Sequence, residues 1–222
     1  MLHYVGNQMH HTTRPIMPAS SNQRDLALHL LGDRGIMRLS ELKDRGVSPP
    51  TVSRLVDDGL VVRTSRGLYE LSGIEIDRAH SLAEMAKRVP RGVICLISAL
   101  QYHEITLQSP RSVWVAISNK DREPKVSHVS TRFVRFGSKA MSIGVETHKI
   151  GFVDVQIFDP AKTVVDCFRF RRHVGLDVAM EALRLALRSG KATPDAIADI
   201  AKELRIWTVL RPYLESAVAG DA

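Results

Sequence analysis

Cysteine is almost missing from this chain. Of 222 residues only Cys95 and Cys167 carry a thiol, and neither belongs to a CxxC pattern. That excludes a disulfide-stapled secreted scaffold and a thiolate zinc site, and leaves two reduced core residues. Long apolar runs are missing as well: no stretch of eighteen apolar residues occurs, so no membrane-spanning helix is expected. The first residues show neither a basic n-region nor an apolar h-region, and the sequence reads as a soluble, cytoplasmic protein. Catalytic patterns are equally scarce. Gly137-Ser138 resembles the start of a nucleotidyltransferase signature, yet the later strand reads Val153-Asp154-Val155-Gln156 and lacks the paired carboxylates that would hold a metal. Glu146, Lys149 and Asp154 make a faint nuclease set, but Glu146 and Lys149 are three apart on a strand and fall on opposite faces. His103, His128, His148 and His173 are scattered without ligand spacing. No catalytic residue, cofactor or metal is expected from the sequence, and the chain reads as a non-enzyme.

What is present is a short run of punctuated elements between Ile36 and Leu71. Ser40 to Arg45 gives a short polar helix, Gly46 turns it, and Ser48 before Pro49 supplies an N-cap and a first-turn proline for a second helix to Asp58. Val52, Leu55 and Val56 make its apolar stripe, and Gly59 stops it. Leu60 to Arg63, Thr64-Ser65-Arg66-Gly67 and Leu68 to Leu71 then read as strand, tight turn and strand. With a preceding helix from Asn22 to Gly32, this is the order of a winged helix-turn-helix, whose second helix enters a DNA major groove. Ser48, Thr51, Ser53 and Arg54 on that helix, and Arg63, Ser65 and Arg66 on the wing, are the candidate DNA contacts. The helix N-terminus is expected to offer its N–H groups and dipole to phosphate.

The formal net charge is +7, and its location matters more than its size. Residues 21–80 hold nine basic and nine acidic side chains, residues 141–222 eleven of each, and residues 81–140 ten against four. The excess therefore lies in the middle, where Arg111, Lys120, Arg122, Lys125, Arg132, Arg135 and Lys139 form a candidate second basic surface. The organisation follows: residues 1–20 as a disordered tail, 21–77 as the winged domain, and 78–222 as a larger α+β domain. In that domain Arg78 to Val89 is an amphipathic helix, and Ser98 with Gln101 makes a capping box. Strands are expected at residues 112–118, 131–136, 144–150 and 152–158, forming a mostly antiparallel sheet with the later helices collected at its C-terminal side.

Three stretches resemble the AbiEi family of antitoxins: Leu39 to Leu71, with Gly46-Val47-Ser48 and Gly67-Leu68-Tyr69; Gly92 to Glu104, with Ser98-Ala99-Leu100; and Ile157 to Glu181, with Asp159-Pro160-Ala161-Lys162-Thr163 and Gly175-Leu176-Asp177. The resemblance implies a type IV antitoxin whose winged helix binds inverted repeats in double-stranded promoter DNA and represses its own operon. It implies a C-terminal domain that counters a nucleotidyltransferase-like toxin without a stable complex. No active-site motif is carried over. Arg171 and Arg172, beside the apolar stripe of Val164, Val165 and Phe168, are the candidate antitoxicity surface. A solitary DNA-binding regulator and a DNA-targeted nuclease using the Glu146 to Asp154 region are the alternatives.

Overall fold

The computed structural model describes residues 19–73, 78–124, 126 and 129–220. The expected tail lies outside these residues except for its last two, as do Lys125, His128 and the middle of the link after the wing. The winged domain runs α1 (Ala19–Arg34), β1 (Met37–Arg38), α2 (Leu39–Lys43), α3 (Pro49–Asp57), β2 (Val61–Ser65) and β3 (Leu68–Leu71). Its three strands pair antiparallel in the order β1-β3-β2, with Gly67 at φ +76° in the turn of the wing. Ala27, Leu31, Leu42, Val47, Val52 and Leu55 close its core, so the stripe read on α3 is the buried one. The two-residue β1 was not legible in advance; Met37 and Arg38 are too few to show a period.

The larger domain begins with α4 (Arg78–Arg88), β4 (Val93–Ile94), α5 (Leu96–Tyr102), β5 (Val113–Ser118), β6 (Thr131–Phe136) and α6 (Ser138–Ser142). It continues through β7 (Val145–Ile150), β8 (Val153–Phe158), α7 (Pro160–Arg169), α8 (Arg171–Val174), α9 (Leu176–Arg188), α10 (Pro194–Glu203) and α11 (Trp207–Gly220). The α+β class holds, but the sheet is mixed where a mostly antiparallel one was expected. Its order is β6-β5-β4-β8-β7, with β4 antiparallel to β5, β7 antiparallel to β8, and both β5-β6 and β4-β8 parallel. The short β4 sits at the centre between parallel and antiparallel neighbours, and nothing local in Val93-Ile94 announces that.

Helices cover both faces of this sheet. Leu82 and Met85 of α4, with Val89 just beyond it, pack on Val113, Val115, Ile117, Val153, Val155 and Ile157, while α5, α7 and the later helices fill the other face around Trp114, Phe136 and Phe158. The interior strand β5 is therefore buried on both sides, which is why it reads as a near-continuous apolar run. The expected Ser98 cap is corrected: the N-cap is Cys95, three residues earlier, and the buried Ser98 hydroxyl accepts the Trp114 N–H at 2.9 Å. At the centre, α7 is buried from Ala161 to Phe168, including its polar residues. Asp159 caps it by accepting the Lys162 N–H at 2.7 Å, and the Lys162 ammonium pairs with Asp166 while lying over the Phe136 and Phe158 rings. Burial lowers the pKa of Lys162 and raises that of Asp166, each opposed by the other's charge.

Candidate nucleic-acid interface

The head of α3 differs from the expected anion site. Ser48 holds the extended N-cap backbone, φ −76° and ψ 147°, but its side chain makes no cap bond. Its hydroxyl lies 2.9 Å from that of Thr51, and the Thr51 hydroxyl donates to Gln23 Oε1 at 2.9 Å. The Ser48 N–H points to the same Gln23 oxygen at 3.3 Å, so a side chain of α1 closes this helix end. Pro49 and Pro50 have no N–H, and the Thr51 and Val52 N–H groups turn back to the Ser48 carbonyl at 3.0 and 3.2 Å. No backbone donor of this first turn is left aimed outward. Ser48 and Thr51, read as DNA contacts, thus sit half-buried in an internal network, while Ser53 and Arg54 lie on the exposed face of α3 beside Pro49 and Pro50. Gln23 is the residue that sequence reasoning missed, because its partners lie on another element.

The wing carries its arginines differently from one another. Arg66 stands exposed in the turn. A bulge between Arg63 and Ser65 displaces the ladder, and the Arg63 Nε bonds the Ser65 carbonyl at 3.3 Å. Arg63 borders a cleft of about 620 Å³ between the wing and the larger domain, with Arg111 on the facing wall. The winged domain is fastened to the last turn of α4: Arg88 Nη2 donates to the Thr64 carbonyl at 2.5 Å, Lys87 pairs with Glu41 at 2.5 Å, and Arg38 donates to the Lys87 carbonyl. Burial alone would raise the Glu41 pKa, but the Lys87 bond, the Arg38 N–H and both positive charges outweigh it and hold the carboxyl below its usual value. Deeper in this seam, Glu70 pairs with His80 at 2.9 Å and Glu84 with Arg88.

The middle basic run does not assemble into one face. Arg132 and Arg135 lie on opposite faces of the edge strand β6: Arg132 covers the Trp114 ring at 5.1 Å, while Arg135 donates to the Asp121 carbonyl at 2.7 Å. Lys139 pairs with Glu203 at 3.5 Å, Lys120 and Arg122 are exposed in the loop after β5, and Arg111 lines the cleft. Of the two candidate antitoxicity residues, Arg171 donates to the Phe168 carbonyl at 2.9 Å and closes the end of α7, while Arg172 is exposed. The nuclease set is divided as well. Glu146 and His148 share one face of β7, and Lys149 faces Asp154 on the other. The histidines read as scattered are in part brought together, since His103 reaches the Glu146–His148 pair across the fold. Burial lowers the His103 pKa against the opposing bond to Phe158.

Residues 25–72 match the family described as transcriptional regulator, AbiEi antitoxin. The winged domain is thus similar to the winged domain of AbiEi antitoxins. The match begins in α1 and ends after β3, so it covers the winged domain and none of the larger one. Among solved structures, the RV2827C protein from Mycobacterium tuberculosis has a similar fold, with a TM-score of 0.62 at 14% identity. That likeness spans 90% of this chain and 78% of the other, and so extends through the larger domain. No curated protein matches the chain. No helix among the described residues is long and apolar enough to cross a membrane.

Proposed function

We propose that this chain is a non-enzymatic, sequence-specific DNA-binding regulator that represses its own operon, and that its larger domain counters a nucleotidyltransferase-like toxin in the cytoplasm. The observation that carries the reading is an AbiEi-type winged domain whose α3 presents Ser53 and Arg54 on one exposed face, with Arg66 at the wing turn. With two prolines at the helix head, contact falls to side chains rather than to helix N–H groups. Arg54 reads a base edge, and Arg66 holds phosphate or the minor groove. The partner is double-stranded promoter DNA with inverted repeats; the toxin is opposed without a stable complex. The test is a gel-shift titration against the chain's own promoter and a scrambled fragment, at several salt concentrations. Preference for the promoter with steep salt dependence supports the reading. Equal affinity for both fragments overturns operator recognition, and cleavage of plasmid in the presence of a divalent metal overturns the non-enzymatic assignment.

A second reading is favoured by one observation: the family match stops at residue 72, so the antitoxin role of the larger domain rests on resemblance alone. The chain is then a solitary regulator. Co-expression with the nucleotidyltransferase-like gene product from its own locus separates the two, since a solitary regulator gives no rescue of growth.

A further inference from the structure

The larger domain brings together a donor set that no sequence spacing announces. Glu146 and His148 are two apart on β7, so both project from the face that α4 covers, and the His148 Nε2 lies 3.0 Å from Glu146 Oε2. His103 follows the last residue of α5 and approaches from across the fold, its ring 5.8 Å from that of His148. One donor atom from each of the three residues lies within 4.8 Å of the others. Tetrahedral zinc with bonds of about 2.0–2.2 Å places its donors roughly 3.3 Å apart, so small side-chain rotations close the set.

His103 is held ready for this role. Its Nε2 lies 2.8 Å from the Phe158 carbonyl, which only accepts, so Nε2 carries the proton and Nδ1 keeps the lone pair. An imidazole whose other nitrogen donates to a carbonyl is the usual support of a metal ligand. The backbone at this point is also fixed. Lys191 Nζ donates to the His103 carbonyl at 2.6 Å and pairs with Glu104 at 3.1 Å, and Glu104 takes a left-handed φ of +54° that a non-glycine residue adopts only when its surroundings hold it there. The Tyr102 ring packs edge-on against both imidazoles, at 5.3 and 4.9 Å, and limits their rotation.

We propose that His103, Glu146 and His148 bind a divalent transition-metal ion, with zinc as the best fit. Two imidazoles and a carboxylate suit zinc, cobalt or nickel rather than magnesium or calcium, which prefer an all-oxygen shell. Three protein donors leave a fourth position for water. On binding, the ion displaces the proton shared between His148 and Glu146, and it ties the end of α5 to β7, the exposed edge of the five-stranded sheet. The inference is independent of the DNA-binding proposal and stands or fails without it.

The experiment uses the tag-free full chain with His3, His10 and His11 changed to alanine, which removes the N-terminal histidines as competing ligands. After treatment with a chelator, the protein is titrated with Co²⁺ and followed by visible absorption, then challenged with Zn²⁺. One equivalent of Co²⁺ giving a tetrahedral d–d band, displaced by one equivalent of Zn²⁺, is the expected result. Zinc at a hundredfold excess over Kd should raise the melting temperature by roughly 5–10 °C. His148→Ala and Glu146→Gln should abolish the band and the shift while keeping the circular dichroism of the parent. His103 is left intact because its bond to Phe158 also serves the fold. The proposal is overturned if no saturable one-to-one binding occurs, or if either variant binds as tightly as the parent.

Discussion

Arg54 is the side chain on which sequence recognition by this protein should turn, because it shares the exposed face of α3 with Ser53 while the neighbouring hydroxyls face inward. Arg54→Ala should cost about 1–3 kcal/mol of promoter affinity and relax preference at one base pair, as measured by gel shift against a panel of mutated operators. Ser48 and Gln23 exchange the importance that the sequence assigns them. A serine before proline reads as a cap worth about 1 kcal/mol, yet here its hydroxyl meets Thr51 and not a backbone N–H. Ser48→Ala should therefore lower stability by less than about 1 kcal/mol. Gln23→Ala strips the acceptor from both the Ser48 N–H and the Thr51 hydroxyl, and should cost about 1–2 kcal/mol in a urea melt. A larger loss for Ser48→Ala than for Gln23→Ala would contradict this account. The position of the cap was legible in Ser48-Pro49; the identity of its partner was not, because α1 approaches from twenty-five residues away in sequence.

At the scale of elements, the wing and α7 make opposite demands on their charges. Arg66 stands in the turn while Arg63 leans into the cleft, so the two should differ where the sequence treats them alike. Arg66→Ala should flatten the dependence of log affinity on log salt by about 0.9, the slope of one phosphate contact, and Arg63→Ala should change it less. In α7 the Lys162–Asp166 pair is enclosed on all sides. Lys162→Met leaves the Asp166 carboxylate with only the longer 3.4 Å contact to Arg169 and should destabilise the chain by about 3–5 kcal/mol; adding Asp166→Leu should recover most of that loss in thermal melts. Arg172→Ala is the clean test of an antitoxicity surface, because Arg171 also closes α7 through the Phe168 carbonyl. Strands of six residues with alternating burial, such as β8, and helices with a side-chain cap, such as α7 after Asp159, were legible to within a residue or two. The two-residue strands β1 and β4 were not, since long-range pairing creates them.

At the scale of the whole molecule, the described residues form two domains joined by a charged seam. The winged domain closes its own core around Leu42, Val52 and Leu55, so a fragment of residues 19–73 should fold and bind promoter DNA more weakly than the full chain. Equal affinity would remove any contribution from the larger domain. The seam should be sensitive to acid. Glu41 has a depressed pKa when folded, so the stability it contributes is present above the ordinary carboxylate range and is lost as pH falls through its folded value. The protection factor of the Arg38 amide should fall below about pH 4.5 in the parent, and Glu41→Gln should show no such step. The split of the middle basic run and the meeting of His103 with His148 both depend on which strands become neighbours in the sheet, and local sequence carries no record of that. The two thiols add a practical consequence. Cys95 and Cys167 are fully enclosed in the core on the helix-rich face of the sheet, burial raises both their pKa values, and the winged domain contains no cysteine. An alkylating reagent should therefore act as a clock for one half of the molecule. Its uptake counts openings of the larger domain and ignores those of the winged one, so the breathing of the two halves can be timed separately without introducing any label.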